Sequence, residues 1–134
     1  MAGDGSLDVQ GAVYSVLANL NPALAGGRIY DYVKDDVAFP FVRIDGSTSA
    51  PADVDGFSGT DEVIQIAVFS QAYGKREIKD LMGQVKEALH NVNLTVANRP
   101  TALCWWDGTN LRRDPDGITH QGIMRFRVLS YEAE

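Results

Sequence analysis

The side chains best equipped for chemistry in this chain are His90, His120 and Cys104, together with carboxylates gathered in two stretches, residues 51–62 and 107–117. A zinc site needs three or four ligands at a spacing such as HExxH or CxxC, and neither histidine has further donors so placed. His90 falls in the last turn of a helical pattern, where a partial positive charge suits the macrodipole, so a structural role is expected. His120 alternates onto the more apolar side of a strand pattern, which predicts a satisfied, partly buried histidine, with a subunit contact as the alternative. The first acidic stretch imitates a calcium loop counted from Pro51, with Asp53 and Asp55 on the way to Gly56 in sixth place and Glu62 in twelfth. A proline stands where the first carboxylate belongs, and a strand pattern follows where a helix should, so calcium is not expected. The second stretch holds Asp107, Asp114 and Asp116, which turn chemistry at Asp-Gly and Asp-Pro-Asp-Gly explains without a metal. Its Arg112-Arg113 pair reads as solvated charge, or as a contact for a phosphate or a neighbouring subunit.

Nucleotide and hydrolase anchors of the GxGxxG, GxxxxGK[ST] and GxSxG types are missing, and nothing local selects Ser70 or Ser130 as a nucleophile. The expectation is a non-enzyme with no cofactor and no metal. Cys104 stands alone, which excludes an intramolecular disulfide and predicts a buried free thiol. A net charge of −6 argues against wrapping DNA or coating an anionic membrane, since either needs a concentrated basic patch. No apolar run approaches the roughly 20 residues of a membrane span. The first ten residues lack a basic region and an apolar stretch, so no signal peptide is expected and synthesis in a cytosol is.

The elements that must position these residues follow from periodicity. At 134 residues and 45% hydrophobic, the chain can bury one core, and a single domain over 1–134 is expected. Leu7, Val9, Ala12, Val13, Val16, Leu17 and Leu20 recur at helical spacing, with Ser6 or Asp8 as possible caps and Asn21-Pro22 as the stop. Strands are predicted over 28–33 and 41–45, joined by a turn at Lys34-Asp35-Asp36. Residues 46–60, rich in Gly, Ser, Pro and Asp, read as a long mobile loop. Residues 61–71 then form a strand apolar on both faces, expected in the middle of a sheet. A second helix over 75–90 presents Ile78, Leu81, Met82, Val85 and Leu89 as one stripe. Strands over 94–97, 101–106 and 117–131 complete the order helix, three strands, helix, three strands. The fold class expected is α+β: one domain, a mixed and mainly antiparallel sheet with two helices on one face. Trp105 and Trp106 must point opposite ways, so one is expected in the core and one exposed.

The last strand is unusual. His120, Gly122, Met124, Phe126 and Val128 fall on one face; Thr119, Gln121, Ile123, Arg125, Arg127, Leu129 and Tyr131 fall on the other. Arginines set among Ile, Leu and Tyr suit a surface that meets another protein, or stems that cover apolar area while their heads reach water.

Three stretches together resemble a family of small tail-completion proteins, the tail terminators of tailed bacteriophages and phage-derived gene transfer particles. They carry Phe39-Pro40-Phe41-Val42, then Phe69-Ser70 followed by Met82-Gly83 and Ala88-Leu89, and finally His120, Gly122, Arg125 and Phe126. The resemblance implies a structural virion protein of the neck, made in the bacterial host cytoplasm. It would form a hexameric ring that caps the tail tube, stops its polymerisation and offers a docking face to the head. Its partners would be tail-tube protein and the head connector, with DNA passing through the ring unread and no membrane involved. A closed ring of identical subunits needs two different patches on each. The strand face with Ile123, Arg125, Arg127 and Tyr131 is the candidate for one, and the acidic residues Asp53, Asp55 and Asp61 for the other. The alternatives are a head-completion or connector-adaptor protein of the same particle and, from another class, a small-molecule binding domain or an enzyme using His120, Cys104 and the Asp loops.

Overall fold

The structure is a computed structural model, and it describes residues 6–31 and 36–132. The first helix, α1, spans Ser6–Ala18. It buries Val9, Val13 and Leu17, while Leu7 is left exposed outside the stripe. The chain leaves it before Asn21-Pro22 and makes a short 3-10 turn over Leu24–Gly27. Strands β1 (Ile29–Tyr30), β2 (Phe41–Pro51) and β3 (Gly59–Ser70) follow. Helix α2 (Arg76–Leu89) then leads to β4 (Val92–Asn93), β5 (Thr101–Arg113) and β6 (His120–Tyr131). The expected strand over 28–33 is thus assigned at Ile29–Tyr30, and its end and most of the turn after it lie outside the described residues.

The six strands form one sheet in the order β1-β2-β3-β6-β5-β4. Only β1 runs parallel to its neighbour, β2; every other pair is antiparallel. Both helices pack on one face. There Val9, Val13 and Leu17 of α1 and Ile78, Leu81, Met82, Val85 and Leu89 of α2 meet Ile44, Ile64, Ile66, Met124, Phe126 and Val128 of the sheet. All five residues of the α2 stripe are buried, as a 3.6-residue period on a charged helix requires. On the opposite, helix-free face a smaller cluster joins Phe41, Ala67 and Phe69 to Tyr30, Val37 and Phe39. The mixed sheet backed by two helices is the α+β architecture expected.

Two expected loops are strands. β2 does not stop at Asp45 but runs to Pro51, with a bulge between Ile44 and Ser47, and β3 begins at Gly59. The segment expected as a mobile loop over 46–60 is therefore a long hairpin closed by residues 52–58. Its β2 half is exposed from Gly46 onward, so no apolar alternation marks it. Likewise β5 continues to Arg113 rather than ending at Trp106, passing a bulge between Trp106 and Gly108. The turn signal at Asp107-Gly108 proves to be that bulge, and the true turn is Asp114-Pro115-Asp116-Gly117. The strand expected over 94–97 lies two residues earlier, at Val92–Asn93.

Candidate assembly surfaces

Register fixes which side chains share the helix-free face. β6 lies between β3 and β5, and its alternate residues Ile123, Arg125, Arg127, Leu129 and Tyr131 stand beside Ala67, Gln65, Val63, Asp61 and Gly59 of β3. Arg127 reaches diagonally to Asp61 in a two-pronged ion pair, with Nε to Oδ1 at 3.4 Å. The hydrogen bond to Asp61 and then its charge raise the Arg127 pKa above its ordinary value. The same guanidinium lies 5.8 Å from the Trp105 ring. Asp61 and Arg127 are thus partners within one chain and do not sit on separate patches. Arg125 is exposed, crosses the bulge at Gly108 (φ 134°) and donates to the Asp107 carbonyl at 3.4 Å. Ile123 and Tyr131 are half-buried, and the Tyr131 ring covers Gly59. Toward the β1 edge, Phe41 stacks on Phe69 at 4.6 Å and Arg43, tied to Asp45, lies 4.9 Å above Phe69.

At one end of the sheet the β2–β3 hairpin closes in a tight tip. Val54 and Phe57 exchange backbone hydrogen bonds, and Asp55 (φ 36°) and Gly56 (φ 86°) occupy the left-handed positions that a two-residue hairpin turn of the primed type demands. Asp53 Oδ1 accepts from the Gly59 amide at 2.9 Å and fixes the base of the tip. Asp55 is exposed, and so are its flanking apolar residues, Val54 at 50% and Phe57 at 41%. Of the residues that imitate a calcium loop, Pro51 and Glu62 belong to two strands, and Glu62 is buried on the helix face.

The opposite end is built by the β5–β6 turn and the start of α2. Asp116 accepts from the amides of Ile118 and Thr119, each at 2.8 Å, and from the Thr119 hydroxyl at 2.6 Å. The Thr119 hydroxyl bond, then the two backbone bonds, lower its pKa below the usual carboxylate range. Behind the turn lies a pocket of about 320 Å³ lined by Lys75, Leu111, Arg112, Arg113 and His120. His120, only 3% exposed, stands opposite Arg113 across the strand pair. Arg112 Nε donates to Gln121 Oε1 at 3.1 Å. The sequence expected a satisfied, partly buried histidine at 120, and the residue is buried at the pocket wall; His90 Nδ1 accepts from the Trp106 amide at 3.1 Å.

Neither tryptophan is core and neither is fully exposed. Both are half-buried: Trp105 beside Arg127, and Trp106 at the edge of the main core under Lys86 at 4.0 Å with its Nε1 donating to Thr109 Oγ1 at 2.8 Å. Cys104 is fully buried, and burial pushes its thiol up to about 12. Among the described residues no three His, Cys, Asp or Glu side chains come together as metal ligands would, and no helix is long and apolar enough to cross a membrane.

One mixed six-stranded sheet, backed by two helices and carrying two long hairpins, is the frame that places these surfaces. The fold is that of a chain in a solved structure titled as the virion of a native gene transfer agent particle, with a TM-score of 0.85 at 22% identity, covering 97% of this chain and 99% of that one. A second solved structure, whose title states no function, is similar over 94% of both chains with a TM-score of 0.58 at 12% identity. No curated protein sequence matches significantly. The model of the family described as Tail completion protein gp17 matches residues 11–131, and the chain belongs to that family.

Proposed function

We propose that this chain is the tail terminator of a tailed phage or gene transfer agent. In this reading it is a structural virion component that closes into a hexameric ring on the finished tail tube, stops polymerisation and presents a docking face to the head connector. It performs no catalysis, and DNA passes through the ring without sequence-specific contacts. Family membership over residues 11–131 supports the tail-completion role, and the likeness to a gene transfer agent virion chain is consistent with it. The observation that carries the ring is the unlikeness of the two ends of the sheet. An acidic, apolar-flanked hairpin tip stands at one end and a cationic pocket at the other, separated by the length of β3. Identical subunits that close by rotation need two such different patches. The helix-free face around Ile123, Arg125 and Tyr131 is a further contact surface in this reading. There Arg127 and Asp61 serve as a paired, rigid unit, and Arg125 offers the exposed charge.

Light scattering over a concentration series, followed by electron microscopy after mixing with tail-tube protein, tests the proposal. Six-membered rings, or tubes whose growth stops on addition of the chain, are expected. A monomer that neither binds nor caps tubes refutes it, and binding only to the portal side of heads would replace the terminator with an adaptor.

A further inference from the structure

The cations of the pocket behind the β5–β6 turn are not neutralised within the chain. The ion pairs among the described residues join Arg43 to Asp45, Arg99 to Glu132 and Arg127 to Asp61, so Lys75, Arg112 and Arg113 belong to none. Arg113 shares the helix side of the sheet with His120, whereas Arg112 turns to Gln121 on the other face, so in a chain of net charge −6 Lys75 and Arg113 are the two cations that meet at the pocket. His120 points the same way independently. It is 97% withdrawn from solvent and lines the same pocket beside Lys75 and Arg113, where a ring N–H can donate to an anion. An oxygen anion entering the pocket would accept a hydrogen bond from the imidazole and give Lys75 and Arg113 their counter-charge. Leu111 supplies one apolar wall, so the anion should carry apolar flanks.

The chain itself displays such a group. Asp55 sits exposed at the β2–β3 tip between Val54 and Phe57, with Asp53 just behind. Gly59 and Ser70 mark the two ends of β3, about 36 Å apart at some 3.3 Å per residue, so the tip cannot reach the pocket of its own chain. It can reach that of a second copy. We infer that the acidic hairpin tip of one subunit seats in the cationic pocket of the next, Asp55 against Lys75, Arg113 and His120, and Val54 and Phe57 against Leu111. Each copy then keeps one free tip and one free pocket, the head-to-tail contact from which rings are closed. This rests on the ring assembly proposed above and names its contact.

The test pairs Asp55→Cys with Arg113→Cys in one chain. Both positions are exposed and the native Cys104 is fully buried, so mild oxidation reports the new thiols. On capped tubes, or on rings if they form alone, the expected result is a covalent ladder of multimers whose disulfides join the two introduced positions, mapped by mass spectrometry. As a second reading, Arg113→Asp and Asp55→Arg should each weaken assembly at least tenfold, and their combination should restore it. Capping or ring formation without that linkage, or charge reversals that do not rescue each other, overturns the inference and leaves the terminator reading standing. Linkage without capping sustains the contact and removes the terminator. Short duplex DNA that saturably shifts the His120 ring resonances, with no cross-link formed, assigns the pocket to phosphate instead and also overturns the inference.

Discussion

Gly122 lies near the start of β6 on the helix face, followed there by the buried Met124, Phe126 and Val128. A Cβ at this position would run into the Met82 sulfur and approach Met82 Cγ to 3.3 Å, so α2 rests on β6 at the one place where a residue has no side chain. Replacing Gly122 by Ala should therefore force Met82 out of its packed position. Overpacking of this kind costs about 1–3 kcal/mol, and because the obstructing group is a flexible thioether the low half of that range is expected. Met82→Ala alone removes three buried heavy atoms and should cost roughly 2–4 kcal/mol through lost contacts and the cavity left behind. The double variant is the informative one, for the new methyl enters the space that Met82 vacates. Its loss should fall short of the sum of the single losses by about 1–2 kcal/mol, a coupling that only residues in contact display. Urea denaturation followed by circular dichroism gives the cycle, and unchanged slopes would tie the differences to native packing. Strict additivity within about 0.3 kcal/mol would refute the claim that Gly122 exists to admit Met82.

Gly59→Ala should be worse than Gly122→Ala, since its Cβ would meet the Ala52 backbone carbonyl at 2.6 Å and that atom cannot swing aside; the comparison of urea midpoints checks the order. Cys104 should resist thiol reagents at pH 8 until the chain unfolds. Its raised pKa also has a sign. Below about 9.0 both states hold the proton, and between 9.0 and about 12 only the folded state does, so its contribution is fully present below 9.0 and is lost as pH rises toward 12. Stability measured from pH 8 to 11 should fall less steeply in Cys104→Ala than in the native chain. Asp116 works in the opposite sense: its depressed pKa stabilises the turn above the ordinary value of 3.8 and the benefit disappears as pH falls below it. Asp116→Ala should speed hydrogen exchange at the amides of Ile118 and Thr119, and unchanged exchange would contradict the turn described. Arg125→Glu should leave the melting temperature within about 2 °C while reducing binding of tail-tube protein, because exposed substitutions away from packed contacts are usually nearly neutral.

The core was legible because periodicity reports burial. The α2 stripe and the alternation of Met124, Phe126 and Val128 appear in the sequence as they do in the fold. The outer half of β2 was not legible for the same reason. From Gly46 to Pro51 both of its faces are exposed, and it is held through pairing with β3, which leaves no mark on side-chain pattern. One signal was available. Asp55-Gly56 between Val54 and Phe57 is the dipeptide that a primed two-residue turn selects, and counting it as a turn rather than as part of a calcium-like loop would have closed the hairpin. At Asp107-Gly108 the same chemistry misleads, because a glycine at φ 134° serves a bulge there and the strand goes on.

The residues that carried the family resemblance divide by the work they do. Phe126 and Val42 fill the core, Phe41 and Phe69 stack on the helix-free face, Gly122 admits Met82, and the Ser70 hydroxyl donates to Glu77 at 2.7 Å, joining β3 to α2. These explain the fold and would be needed in any protein built on it. His120 and Arg125 are different, since nothing in the packing requires an imidazole at a pocket wall beside Arg113 or an arginine laid across a bulge. Charge complementarity read from the sequence set Asp61 and Arg127 on different patches, whereas in the structure they pair within one chain. The tip at Asp55 and the pocket at His120 stand at opposite ends of the subunit with opposite charge, and two such unlike groups are what a head-to-tail assembly needs. If the two were only incidental surface features, reversing the charge of either should leave assembly as it was; the rescue of Asp55→Arg by Arg113→Asp is the result that coincidence does not produce.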